Sequence, residues 1–153
     1  LAQGAQPLIS KNYGKGNLKN VKNLLKWSLI SCLILEIIII FISWGFTDNL
    51  IGIFNSENNL ELLKYAHTGL RIYFLGFLFA GINIMLVAYF SATDNALPAI
   101  TGSLMRGIFA IAFCAVILSK ILGINGVWGS FLGSEVLTFA AVMILSRINK
   151  ETT

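Results

Sequence analysis

Four long apolar runs dominate this chain, and each is about as long as a bilayer is thick. They occupy residues 24–46, 69–91, 99–122 and 126–146. A helix rises 1.5 Å per residue, so roughly 20 residues cross about 30 Å of hydrocarbon. Membrane strands are only about ten residues long and alternate polar with apolar side chains, a pattern these runs lack. Charged residues make up 12% of the 153 positions, against about 25% in a soluble domain. Most of the surface must therefore meet lipid. The expected fold is an all-α integral membrane bundle of four transmembrane helices. Residues 1–23 read as the end of a fifth membrane helix and a basic loop, and 147–153 as a cytoplasmic tail. The chain does not open with Met and has no signal-peptide pattern, so it reads as a segment of a longer protein.

Loop charges give a direction. Lys11, Lys15, Lys19, Lys22 and Lys26 precede or enter the first span with no acid among them. The next loop carries Asp48, Glu57 and Glu61 against Lys64, and Arg147 and Lys150 follow the last span. The positive-inside rule puts the N-terminal loop and the C-terminus in the cytoplasm. Four crossings return a chain to the side it left, so the two assignments agree. The same lysines suit anionic headgroups. Because the net charge of +4 gathers beside apolar spans, it belongs to membrane orientation, and no nucleic-acid partner is expected.

No enzyme is expected either. Walker-type GxxxxGK[ST], GxSxG and HExxH are all missing. Cys32 and Cys114 lie inside apolar runs as small hydrophobes, and no metal site is predicted.

Within the spans, small and polar residues mark the sides that face protein rather than lipid. Ser28, Cys32, Glu36 and Ser43 form one stripe. Gly69, Tyr73, Gly76, Ala80 and Asn83 form a second, Ser103, Gly107, Ala110 and Cys114 a third, and Ser130, Ser134, Thr138 and Ala141 a fourth. Glu36 lies near the middle of its span, and Glu135 just before the middle of the last. Carboxylates at such depth are costly and line cavities or pair up. Either is a candidate for exchanging a proton or holding a cation, with Asn83 completing the shell; the alternative is hydrogen-bonded glue between helices. Arg106 is expected to snorkel to the interface, and His67 to be solvated. Trp27, Trp44, Tyr65 and Trp128 sit where an aromatic belt belongs.

The stretch Gly4-Ala5-Gln6-Pro7-Leu8-Ile9-Ser10-Lys11-Asn12-Tyr13-Gly14-Lys15-Gly16-Asn17 resembles the end of the eighth helix in multidrug and toxic compound extrusion (MATE) transporters. Gln6, Pro7, Asn12, Tyr13 and Gly14 carry that likeness as structural residues: Pro7 bends the helix, Ser10 and Asn12 cap it, and Gly14 lets the chain turn. Tyr89-Phe90-Ser91-Ala92-Thr93-Asp94-Asn95 with Pro98 is similar to the family's link between its tenth and eleventh helices. Gly123-Ile124-Asn125-Gly126-Val127-Trp128-Gly129 resembles the turn into its twelfth, and Ser134-Glu135 matches an acidic position of bacterial members. Arg106 falls where the family often has an Arg.

The resemblance implies the C-terminal part of a twelve-helix, two-lobe transporter of the plasma membrane, with the N-terminal lobe as its missing partner. It implies export of organic cations or amphipathic drugs in exchange for Na⁺ or H⁺ by alternating access, with no cofactor beyond the coupling ion. Some members place an acidic cation ligand on the tenth helix. Residues 69–91 hold no Asp or Glu, and Asn83 is the amide there, so coupling falls to Glu36, to Glu135 or to the other lobe. A lipid-linked oligosaccharide flippase of the same superfamily, or a scaffold subunit that transports nothing, are the competing readings.

Overall fold

The computed structural model describes residues 1–55 and 59–151. Glu57, counted above among the loop acids, lies outside the described residues, as does the side chain of Lys150. The described residues fold into helices and short turns, with no strand among them. The helices are α1 (Ala2–Gly14), α2 (Leu18–Gly45), α3 (Thr47–Phe54), α4 (Leu60–Leu75), α5 (Phe77–Ala92), α6 (Ala96–Leu104), α7 (Ala110–Leu122) and α8 (Ile124–Glu151). A π-helical turn, Met105–Phe109, joins α6 to α7.

Four of the described stretches are long and apolar enough to cross a membrane: Leu18–Gly45, Leu60–Ala92, Ala96–Leu122 and Ile124–Ile148. This is an all-α, multi-pass membrane protein. Outer faces confirm the solvent. Ile34, Leu35, Ile37, Ile38, Phe41 and Ile42 are all exposed on the outside of the bundle, an apolar surface that suits lipid.

Each helix outruns its apolar run, because a helix does not stop where hydrocarbon does. The expected loop through residue 23 shrinks to Lys15–Asn17, with Lys19, Lys22 and Lys26 on the first turns of α2. Asn17 caps α2 by accepting a hydrogen bond from Asn20 N–H at 3.3 Å. Gly14 remains helical; the residue that turns the chain is Gly16, whose φ of +71° favours glycine. Pro7 lies inside α1, which runs on to Gly14. The side-chain bond near that end comes from Asn12, whose Nδ2 donates to the Leu8 carbonyl at 2.9 Å. At the other end of the chain α8 continues to Glu151, so 147–151 is helical.

α5 sits at the centre. It packs against α1, α2, α4, α6 and α8, while α8 also lies along α4 and α7. Ile9 of α1 is fully buried with Val21, Cys32, Met85, Ala88 and Ala92, which ties the N-terminal helix into the bundle. Aromatic rings close the opposite end, where Tyr73 stacks on Phe131 at 4.6 Å between ring centres. Trp44 Nε1 donates to the Arg71 carbonyl at 3.3 Å across α2 and α4.

The predicted stripes turn inward in the first, second and fourth spans: Cys32, Glu36, Ser43, Gly69, Gly76, Ala80, Asn83, Ser130, Ser134 and Thr138 are buried, and Ser28, Tyr73 and Ala141 are half-buried. The third departs. Ala110 and Cys114 are buried, but Ser103 and Gly107 are exposed. The π-turn between them adds a residue to one turn and shifts the register. A stripe drawn at a constant 100° per residue cannot follow that shift.

Candidate functional site

Asn83, Arg106 and Glu135 come together between α5, the π-turn and α8. The Glu135 carboxylate is 3% exposed. Arg106 Nε donates to its Oε1 at 2.9 Å and to its Oε2 at 3.1 Å. Asn83 Nδ2 donates to Oε2 at 2.7 Å and to the Glu135 carbonyl at 2.8 Å. Asn83 is fully buried, and its Oδ1 has no hydrogen-bond partner among the described residues.

Arg106 therefore does not snorkel. It lies ten residues beyond Ala96, about 15 Å along the axis. Asn83 lies nine residues before Ala92 and Glu135 eleven after Ile124, again roughly 14–17 Å from their turns. The cluster thus lies about two to three turns inside each membrane-spanning helix, within its apolar run. At that depth a lone guanidinium or carboxylate is costly, and pairing the two cancels the net charge.

The cluster opens on a cleft of about 460 Å³ lined by Ile84, Val87, Ser103, Arg106, Gly107, Phe131 and Glu135. Its walls are mainly apolar and its floor is the ion pair. Ser103 and Gly107, displaced from the buried stripe by the π-turn, form part of the lining.

Glu36 docks on the other flank of α5. Its Oε1 accepts a hydrogen bond from Gly81 N–H at 2.6 Å, its Oε2 has no partner among the described residues, and the residue is 5% exposed. A Cβ at position 81 would overlap Glu36 Oε1, so any side chain there displaces the end of the Glu36 side chain. Gly81 and Asn83 are two residues apart, which is about 3 Å of rise and about 200° of rotation. The two buried carboxyl groups consequently meet α5 at one level from opposite sides.

Of the predicted site residues, Asn83 and Glu135 are in direct contact and Glu36 is held apart from them by α5. The N-terminal motif does not join the cluster. Gln6, Pro7, Tyr13 and Gly14 lie exposed on α1, and Asn12 Oδ1 accepts from Asn20 Nδ2 at 3.4 Å, linking α1 to α2. Arg106 and Gly81 are the residues that sequence reasoning missed as members of the site. His67 is partly exposed, with its Nε2 3.6 Å from the exposed Asp48 Oδ1.

The MatE family model matches residues 1–116. Among curated proteins, the multidrug export protein MepA of Staphylococcus saprophyticus is 24% identical over 159 residues, covering 100% of this chain and 33% of that protein. The MepA of Staphylococcus aureus is 25% identical over 152 residues, covering 95% of this chain and 31% of that protein. The chain thus spans about a third of the length of the curated relatives it matches. No solved structure matches it significantly.

Proposed function

This chain belongs to the MatE family, and from that premise we propose that it forms part of a secondary active efflux antiporter for organic cations and other amphipathic drugs. The observation that carries this reading is the family match over residues 1–116, and the similarity to multidrug export proteins supports the substrate class. A six-helix N-terminal lobe, acting as partner, completes the transport path, and the protein works in the plasma membrane by alternating access. The lysine-rich N-terminal segment and the C-terminus face the cytoplasm, a reading supported by the charge distribution. The cleft lined by Glu135 favours transport over a scaffold role, in which the polar faces would close on one another.

Na⁺ or H⁺ supplies the energy, and Glu36 is the coupling carboxyl of this segment. Glu135 already has a cation partner in Arg106, whereas Glu36 has an amide donor and one open oxygen. Loss of a proton there leaves an uncompensated charge in a dry site, which favours a different helix arrangement.

The test uses the full-length protein that contains this chain, reconstituted in proteoliposomes with a fluorescent organic cation. Efflux driven by a Na⁺ or H⁺ gradient is expected. Glu36→Gln should uncouple efflux from the gradient at unchanged expression. Gradient-driven efflux at the wild-type rate in Glu36→Gln removes this residue from coupling, and no gradient-dependent efflux of any cation by the wild type overturns the antiporter reading.

A further inference from the structure

The guanidinium of Arg106 is tied to Glu135 through Nε alone. Its terminal nitrogens, Nη1 and Nη2, have no partner among the described residues. Four N–H donors in a fixed fork are thus left over at the edge of an apolar-walled cleft. Donors of a charged group left open on a cleft suit acceptors of matching geometry, and a carboxylate is the planar, two-oxygen group that fits a guanidinium fork. Pairing with Glu135 leaves the site neutral overall, so it does not repel an anion as a lone carboxylate would, nor attract a bare inorganic ion as an unpaired Arg would.

We propose that the cleft binds the carboxylate of an amphipathic acid or zwitterion on Arg106 Nη1 and Nη2, with the ligand's apolar body held by Ile84, Val87 and Phe131. Glu135 and Asn83 are positioning residues in this scheme. Glu135 holds Nε and so fixes the plane of the guanidinium, and Asn83 holds the carboxylate that does so. The π-turn contributes by bringing Arg106 over Glu135 while leaving Gly107, without a side chain, on the cleft wall. Lipid phosphate is the other source of a matching anion, and the anionic-lipid arm of the test separates the two. The proposal rests on the efflux reading only for what becomes of the ligand once bound.

Its test separates binding from transport. The full-length protein is placed in nanodiscs of zwitterionic lipid, and fluorescence anisotropy measures affinity for two probes: a rhodamine with a free benzoate and its methyl ester. Wild type should bind the free acid about tenfold or more tighter than the ester, the value of about 1.4 kcal/mol for a charge-assisted fork. Arg106→Lys keeps the positive charge beside Glu135 but loses the fork. A monodisperse size-exclusion profile reports that the variant is folded, and it should lose most of the preference for the acid. Equal affinity for the two dyes in wild type, or an undiminished preference in Arg106→Lys, overturns the proposal. So does competition by phosphatidylglycerol added to the nanodiscs, which makes a lipid headgroup the occupant. Preference for the acid without gradient-driven efflux of either dye overturns the antiporter reading and leaves the site standing. Efflux of the ester without preference for the acid does the reverse.

Discussion

Removing Arg106 alone should be far more damaging than removing Arg106 and Glu135 together. In Arg106→Met the Glu135 carboxylate, 3% exposed, loses both contacts from Nε at 2.9 and 3.1 Å and keeps one amide donor at 2.7 Å. Stranding one member of a buried ion pair costs about 3–5 kcal/mol. In Glu135→Met the arginine side chain, 26% exposed on the cleft, retains access to water, so the cost falls to about 1–3 kcal/mol for lost hydrogen bonds, including that of Asn83. The double variant replaces both ions with side chains that pack in an apolar site, and such exchanges run from neutral to stabilising. Summing the single losses therefore overestimates the double loss by several kcal/mol. The measurement is reversible unfolding of the full-length protein in mixed micelles for wild type, both single variants and the double. Losses that add to within about 0.5 kcal/mol would show that the two side chains do not depend on each other, and the account of the cluster would fall.

Two further substitutions probe α5. Gly81→Ala should expel Glu36 from its seat, since the new Cβ overlaps Oε1; the combined overpacking and lost hydrogen bond should lower stability by about 2–4 kcal/mol. Combining it with Glu36→Ala should recover most of that loss, and failure to recover would place the clash elsewhere. Asn83→Leu removes both donors to Glu135 and should cost about 1–3 kcal/mol while leaving the Arg106 pair in place. A thermal midpoint equal to wild type in Asn83→Leu would mean that those bonds contribute nothing.

The membrane helices were legible because apolar run length is a property of sequence alone. Their ends were not, since α2, α4 and α8 continue past the hydrocarbon on polar residues such as Lys19, Glu61 and Arg147. Glu36, Asn83 and Glu135 stood out as polar residues at depth, and their inward orientation followed from helical spacing. Arg106 did not, for a specific reason. Its partner is 29 residues away on another helix, and the height of one helix against the next is not written in either. The π-turn also rotates Arg106 away from the position that constant helical spacing assigns. Gly81 carried no signal either, because glycine is common in membrane helices and only the approach of Glu36 distinguishes this one.

The placement of two carboxyl groups at one level on opposite flanks of α5 makes that helix a shared support. Gly81 N–H seats Glu36 on one flank, and Asn83 Nδ2 holds Glu135 on the other. With about 3 Å between the two contacts along the axis, α5 makes both at once, at 2.6 Å to Glu36 and 2.7 Å to Glu135. The seats of the two acids thus share one short stretch of backbone, and a change at 81 or 83 acts within two residues of both.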